Sequence, residues 1–216
     1  NGETAVQEHM VELTEDDQTW HFKGFETKPT IALLADFSAP VKVNFAQDDD
    51  DLFTIISKAK NSFCRWDAGQ KLLMSYIKSI TLLPEFVIPT QLLTCLTELL
   101  NSNDDAAFIA EQLMLPSFDE AADIIEQVNP INLVNALQKL SLFIAKGIEQ
   151  PLLQKLRDCQ TLLQNSNLSE AEVTANKALK NICLHYLASL EQHATLVEQQ
   201  FNESDNMTDS LAALTC

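Results

Sequence analysis

The chain has 216 residues and a formal net charge of −17, from 31 acidic and 14 basic residues. A composition of 46% hydrophobic and 21% charged residues is ordinary for a globular protein and argues against disorder over most of the length. The acidic excess would repel a phosphate backbone, and no apolar run reaches the roughly 18 residues of a membrane span, so neither a nucleic-acid nor a membrane partner is expected.

Three short segments near the start of the chain alternate apolar and polar residues, as half-buried strands do. They are His9–Thr14, Gln18–Lys23 and Val41–Phe45. A sheet of three or four strands with one apolar face needs a second layer, and the sequence offers no further strands. Residues before Asp48 are therefore predicted to form a small incomplete antiparallel β segment, and we expect the chain to be a piece of a larger protein.

From Asp48 onward the hydrophobic period changes to 3.6 residues, which is typical of amphipathic helices. Helix starts are marked by an acidic run and by capping pairs: Asp48–Asp51, Ser117 with Glu120, Asn129 before Pro130, and Ser169 with Glu172. Gly147 stands where a left-handed helix stop is expected. Residues 48–216 are therefore predicted to form roughly eight helices, and the fold class is mainly α: an antiparallel, solenoid-like array of helices after a small incomplete antiparallel β segment.

Metal and nucleotide motifs are missing from the sequence. None of the four histidines lies in an H-E-x-x-H pattern, and with only four glycines the phosphate-binding glycine loops are absent. His185 and His193 are eight residues apart and lack a third ligand at recognisable spacing, so they are interpreted as surface or boundary residues. No cofactor site is predicted in this chain.

The five cysteines are an odd number and are widely spaced, mostly within apolar helical stretches. A free thiol packs there as a small hydrophobic group, so we interpret the cysteines as reduced. Reduced cysteines favour a cytoplasmic protein over a secreted one.

Two short stretches are specific enough to be candidate sites. In Phe63–Ala68, Arg65 and Asp67 flank Trp66; the pattern indicates either a buried helix junction, with Trp66 in the core and Arg65 in an ion pair, or a functional site.

The second stretch contains Asn206, Thr208 and Asp209. Helix capping by Asn206 explains its spacing, and lining of a cavity is the alternative.

These stretches, with Phe37–Lys42 and Ser75–Lys78, occur in an order that resembles the aminopeptidase N family of zinc metallopeptidases in its bacterial form. The resemblance extends over nearly the whole chain and is looser between about residues 82 and 199. It implies the end of the family's β-sandwich domain at 1–47 and the first part of its C-terminal helical domain at 48–216. The family's zinc ligands and catalytic residues would lie upstream, so none is carried over to a residue here.

The resemblance therefore implies a non-catalytic piece of a zinc-dependent aminopeptidase, which removes N-terminal amino acids from peptides. Its helical part would cap the active site and limit access, with Arg65, Trp66, Asp67, Asn206, Thr208 and Asp209 as structural or chamber-lining candidates. The partners implied are the remaining domains of the parent enzyme and, through it, peptide substrates. A stand-alone helical module that binds peptides or proteins is the alternative.

Overall fold

The structure is a computed structural model that describes residues 8–41, 43–126 and 129–216. Within those residues it contains ten α-helices, two short 3-10 helices at Ala35–Phe37 and Glu191–His193, and no strand. The α-helices are α1 (Asp49–Lys58), α2 (Ser62–Leu82), α3 (Gln91–Leu100), α4 (Ala106–Leu113), α5 (Phe118–Ile124), α6 (Pro130–Gly147), α7 (Glu149–Leu163), α8 (Glu170–Ala188), α9 (Ala194–Glu203) and α10 (Met207–Leu214). The predicted multi-helix array is confirmed.

The helix starts follow from local capping. Ser117 and Ser169 each complete a capping box with the glutamate three residues on, and Asn129 accepts hydrogen bonds from two first-turn N–H groups while Pro130 occupies the first helical position. Each cap satisfies backbone donors that have no partner inside the helix. The predicted starts of α5, α6 and α8 are therefore confirmed.

Two long helices hold the array together. α2 packs along α1 and also along α6, while α8 packs along α7 and also along α4. Their apolar stripes meet in one core, whose fully buried members include Leu72, Ile77, Leu100, Leu140 and Leu187. The α2–α6 and α4–α8 contacts join helices that are distant in sequence, so packing is not restricted to sequence neighbours.

The described residues before α1 form no strand, although the sequence pattern predicts three. Side chains that the pattern places on an apolar face are exposed, among them Val11 (46%), Trp20 (38%) and Phe22 (49%). A strand needs a neighbour for its backbone groups, and two or three strands without a covering layer are marginal in water. Lys42, inside the third predicted strand, lies outside the described residues.

The C-terminal end of α6 differs from its prediction. Gly147 is the last residue of the helix and has no left-handed conformation; among the described glycines only Gly24 has a positive φ. Instead, a Cβ at Gly147 would lie 2.5 Å from both Cδ atoms of Leu93 in α3. The glycine therefore leaves room for the Leu93 side chain, and Ile148 follows it as the C-cap.

A second close approach joins α2 and α4 at Gly69. A Cβ on Gly69 would lie 2.6 Å from Oε1 of Gln112, whose side chain is buried and whose Nε2 has no hydrogen-bond partner. We expect Gly69→Ala to lower the free energy of unfolding by about 1–3 kcal/mol, the usual range for overpacking. Urea denaturation of the chain measures this change.

A double-mutant cycle with Gln112→Ala tests the cause. If the clash with the amide is responsible, the double variant should lose about 1 kcal/mol less than the sum of the single variants, since contacting residues are not additive. Simple additivity would show that Gly69→Ala acts elsewhere.

Candidate functional site

Arg65 lies in the first turn of α2 and connects three elements. Its Nε donates to the carbonyl of Ile56 at 2.8 Å, and Nη1 and Nη2 donate to the two carboxylate oxygens of Asp104 at 3.0 and 2.7 Å. The guanidinium also lies 4.7 Å from the ring centroid of Phe108. Arginine is well suited to both interactions, the bidentate pair of hydrogen bonds with a carboxylate and the cation–π contact with an aromatic ring. Arg65 therefore fixes the end of α1 and the α3–α4 connection to α2.

The electrostatics of this pair agree with a structural role. The hydrogen bond from Arg65 is the largest cause that lowers the pKa of Asp104; burial opposes it, and Ser102 adds a second hydrogen bond at 2.9 Å. The Arg65 side chain is only 17% exposed. The ion pair predicted for Arg65 is thus present, and its partner, Asp104, lies 39 residues further along the chain.

Trp66 does not lie in the core, which corrects the sequence-based placement. Its side chain is 36% exposed and contacts Phe63, with 6.0 Å between the ring centroids. Arg65 is in register with the buried residues Gly69 and Leu72, which follow it at i+4 and i+7. Asp67 forms an i,i+4 ion pair with Lys71 at 2.7 Å on the partly exposed side of α2.

Asp209 is the centre of a buried polar cluster. Its Oδ2 is 2.8 Å from Nζ of Lys180, and both side chains are 9% exposed. Asn181 donates to Oδ1 at 3.1 Å and Asn206 donates to Oδ2 at 3.1 Å. Gln200 donates to the Asp209 carbonyl at 3.1 Å. The cluster therefore joins α8, α9 and α10.

The carboxylate of Asp209 stays ionised in spite of its burial. Burial alone would raise its pKa, but the hydrogen bonds from Lys180 and Asn206 and the charge of Lys180 together hold the pKa below its usual value. Removing charges from water is costly unless they are paired and hydrogen-bonded, as they are here. These contacts fix the position of α10 against α8.

Asn206 caps α10, as the sequence predicts: its Oδ1 accepts a hydrogen bond from the backbone N–H of Asp209 at 3.0 Å. Thr208, in the same turn, is exposed. Asn206 also borders an open groove of about 500 Å³, lined with Ser204, Asp205, Met207, Ser210, Leu211 and Leu214. Of the six candidates, Asn206 therefore has a possible lining position as well as a structural one.

The six candidates form two separate clusters. Arg65, Trp66 and Asp67 lie on α2, whereas Asn206, Thr208 and Asp209 lie at the start of α10, and no hydrogen bond or ion pair between described residues joins the two groups. Sequence reasoning missed the partners of Asp209, which are Lys180, Asn181 and Gln200. A signal was present for one of them, because Lys180 is in register with the apolar residues of α8.

The remaining titratable groups also serve the fold. His193 Nε2 lies 2.8 Å from Oε1 of Glu149 and ties the turn before α9 to the start of α7. Tyr186 donates to the carbonyl of Leu113 at 2.6 Å. All five cysteines are free thiols, and burial raises the pKa of Cys159 to about 11, so this thiol is protonated at neutral pH.

No group of three or more His, Cys, Asp and Glu side chains is arranged to hold a metal ion in the parts of the chain that the structure describes. Within the same residues, no helix combines the length and apolar character needed to cross a membrane.

Two family models match adjoining parts of the chain. One, described as "Domain of unknown function (DUF3458_C) ARM repeats", matches residues 49–216. The other, described as "Domain of unknown function (DUF3458) Ig-like fold", matches residues 1–46. The two matched regions meet at the start of α1.

The curated relatives are aminopeptidases. The chain is 35% identical over 217 residues to aminopeptidase N of Escherichia coli, covering 95% of this chain and 24% of that protein. It is 30% identical over 231 residues to aminopeptidase N of Haemophilus influenzae, covering 99% of this chain and 26% of that protein. The chain thus spans about a quarter of the length of these relatives.

A solved structure has a similar fold. Aminopeptidase A of Legionella pneumophila, in complex with aspartic acid, superposes with a TM-score of 0.79 at 22% identity, covering 90% of this chain and 24% of that one. At this identity the comparison supports the fold alone.

Proposed function

The chain belongs to the DUF3458_C family of ARM-repeat domains, and we propose that it is a non-catalytic part of a zinc-dependent aminopeptidase. The observation that carries the proposal is the 35% identity to an aminopeptidase N over nearly the whole chain but only a quarter of that enzyme. In the parent enzyme, zinc would activate a water molecule for attack on the N-terminal peptide bond of the substrate. The zinc ligands would lie in other domains, which are the partners of this chain.

The proposed domains are the end of a β-sandwich at residues 1–47 and the first part of a helical domain at residues 48–216. The matched ranges 1–46 and 49–216 support this division. Five free cysteines favour a cytoplasmic setting for the parent enzyme.

The helical array is proposed to cap the active site of the parent and to limit which peptides enter. Its construction supports this role, because the Arg65–Asp104 and Lys180–Asp209 pairs join parts of the array that are distant in sequence. We place Arg65 and Asp209 among the residues that hold the cap together. Asn206 and Thr208, at the exposed start of α10, are the candidates to face the substrate chamber.

Two measurements test the proposal. The isolated chain should show no hydrolysis of amino-acid amides, with or without added zinc; turnover that stays with the chain through purification would contradict it.

In the full-length enzyme, Arg65→Ala should loosen the cap and raise kcat/KM for long peptides relative to an amino-acyl anilide. Arg157→Ala, at an exposed position of α7, is the matched control. An unchanged ratio in the Arg65 variant would exclude the capping role while leaving the assignment to the enzyme intact.

A further inference from the structure

Residues 30–37, which we name the strap, contact α1 through Thr30 and α2 through the 3-10 helix Ala35–Phe37. Thr30 Oγ1 donates to the carboxylate of Asp51 in α1 at 2.9 Å. Gln47 Nε2 donates to the carbonyl of Ile31 at 3.0 Å. These contacts attach the first half of the strap.

The second half of the strap is attached to α2. Asn61 Nδ2 donates to the carboxylate of Asp36 at 2.6 Å. The ring of Phe37 packs edge-on against Phe63, with 5.3 Å between the centroids. Each link is a single polar or aromatic contact near the surface, so none of them alone holds the strap strongly.

Backbone strain opposes these contacts. Leu34, Asp36 and Phe37 have φ values of 57°, 55° and 52°. L-residues other than glycine rarely adopt this left-handed conformation, and it persists only where the surroundings impose it. Several weak contacts thus favour the attached strap, and three strained residues oppose it. Modest changes to either should therefore change the fraction of molecules in which the strap is attached.

The strap covers a thiol. Cys64, on the buried side of α2, is 5% exposed, and its Sγ lies 3.5 Å from the carbonyl of Leu33. A cavity of only about 10 Å³ remains between strap and helices. Burial raises the pKa of this thiol, and the charges of Asp67 and Asp36 raise it further. With the strap attached, Cys64 is therefore shielded and unreactive.

We propose that the strap is a releasable latch, which in its released state leaves α1 and α2 and exposes Cys64. The latch is a property of this chain and does not depend on the proposed function. If it is correct, residues 30–37 are attached to α1 and α2 in a switchable way, and this attachment is broken without unfolding the helices.

Thiol labelling of the intact chain, followed by peptide mass spectrometry, reads the latch directly. Exposed Cys216 should react fast, and Cys64 should react slowly but faster than Cys159 and Cys183, which lie in the core of the helices. Labelling of Cys64 at the rate of Cys216 would show that the strap is not attached. Labelling of all three buried thiols at one rate would show global unfolding. Either result would overturn the proposal.

Two matched pairs of variants test the contacts of the strap and its backbone strain separately. Thr30→Val removes one link and should speed labelling of Cys64 about two- to tenfold, as loss of one hydrogen bond predicts; Thr161→Val, which removes an exposed hydroxyl bond within α7, should leave the rate unchanged.

Leu34→Gly and Leu34→Ala both remove the side chain, but only glycine relieves the strain. Cys64 should therefore react about two- to fivefold more slowly in Leu34→Gly than in Leu34→Ala. Equal rates within either pair would contradict the latch.

Discussion

Arg65→Ala is expected to lower the free energy of unfolding by about 1–3 kcal/mol, because it breaks a partly buried charge pair and leaves the carboxylate of Asp104 without its partner. The side chain that is lost makes two hydrogen bonds to Asp104, one to the carbonyl of Ile56 and a cation–π contact with Phe108. Equilibrium urea denaturation, followed by far-ultraviolet circular dichroism, measures the loss.

Two further variants separate geometry from charge. Arg65→Lys keeps the positive charge but cannot form the bidentate contact, so it should recover less than half of the loss. Arg157→Ala removes an exposed arginine from α7 and should change stability by no more than about 0.5 kcal/mol. A loss at Arg65 no greater than that at Arg157 would show that the contact with Asp104 contributes nothing to the fold.

Helix boundaries are the part of this fold that the sequence predicts best. Ser117, Asn129 and Ser169 each cap a helix by accepting hydrogen bonds from N–H groups two or three residues away. Such interactions are complete within one turn, so they can be recognised without knowledge of the rest of the molecule. The helical period in the residues that follow is equally local.

The placement of Trp66 shows how a prediction based on residue type fails. An aromatic side chain beside a charged one suggests that the aromatic is buried. Register does not separate the two residues, because buried residues follow both Arg65 (Gly69, Leu72) and Trp66 (Gly69, Leu73) at helical spacing. Arg65 is the less exposed of the two because the carboxylate of Asp104 pairs with it. No local signal in the sequence identifies Asp104, which lies 39 residues further along the chain, as the partner of Arg65.

Lys180, at the other end of the array, is a second charged residue in register with buried residues. Cys183, Leu184 and Leu187 follow it at i+3, i+4 and i+7, which places a charged side chain on the buried stripe of α8. A lysine in that register predicts a buried partner, because an unpaired ammonium group would be costly there. The partner, Asp209, comes from α10, and only the packing of α10 on α8 brings the two together.

The sequence pattern alone could not establish whether the segments before α1 form strands. Alternating residues such as Val11, Trp20 and Phe22 fit a sheet face, yet they are exposed in the structure. Whether alternation becomes a strand depends on partners for the backbone and on a layer that covers the apolar face. The matched Ig-like family model agrees with the sequence pattern at residues 1–46, so pattern and family point to the same domain while the described residues lack its pairing.

The largest effect is expected at the buried pair of Lys180 and Asp209. Lys180→Met should lower the free energy of unfolding by about 3–5 kcal/mol, because it leaves a carboxylate buried without its counter-ion. The double variant Lys180→Met with Asp209→Leu removes both charges and should recover most of the loss. Urea denaturation measures both, with Lys78→Met at an exposed position of α2 as the control.

The pH dependence of this loss identifies its electrostatic origin. In the wild type the pKa of Asp209 is held below its usual value of about 3.9, so the stability that the ionised pair contributes is present above about pH 4 and is lost as the pH falls through the folded-state pKa. In Lys180→Met the chief lowering partner is gone and burial remains, so the carboxyl should be protonated more readily in the folded state. The stability difference between wild type and Lys180→Met should therefore shrink as the pH is lowered from 7 toward 3. A difference that stays constant over this range would mean that Lys180 stabilises the fold through packing of its aliphatic stem and not through its charge.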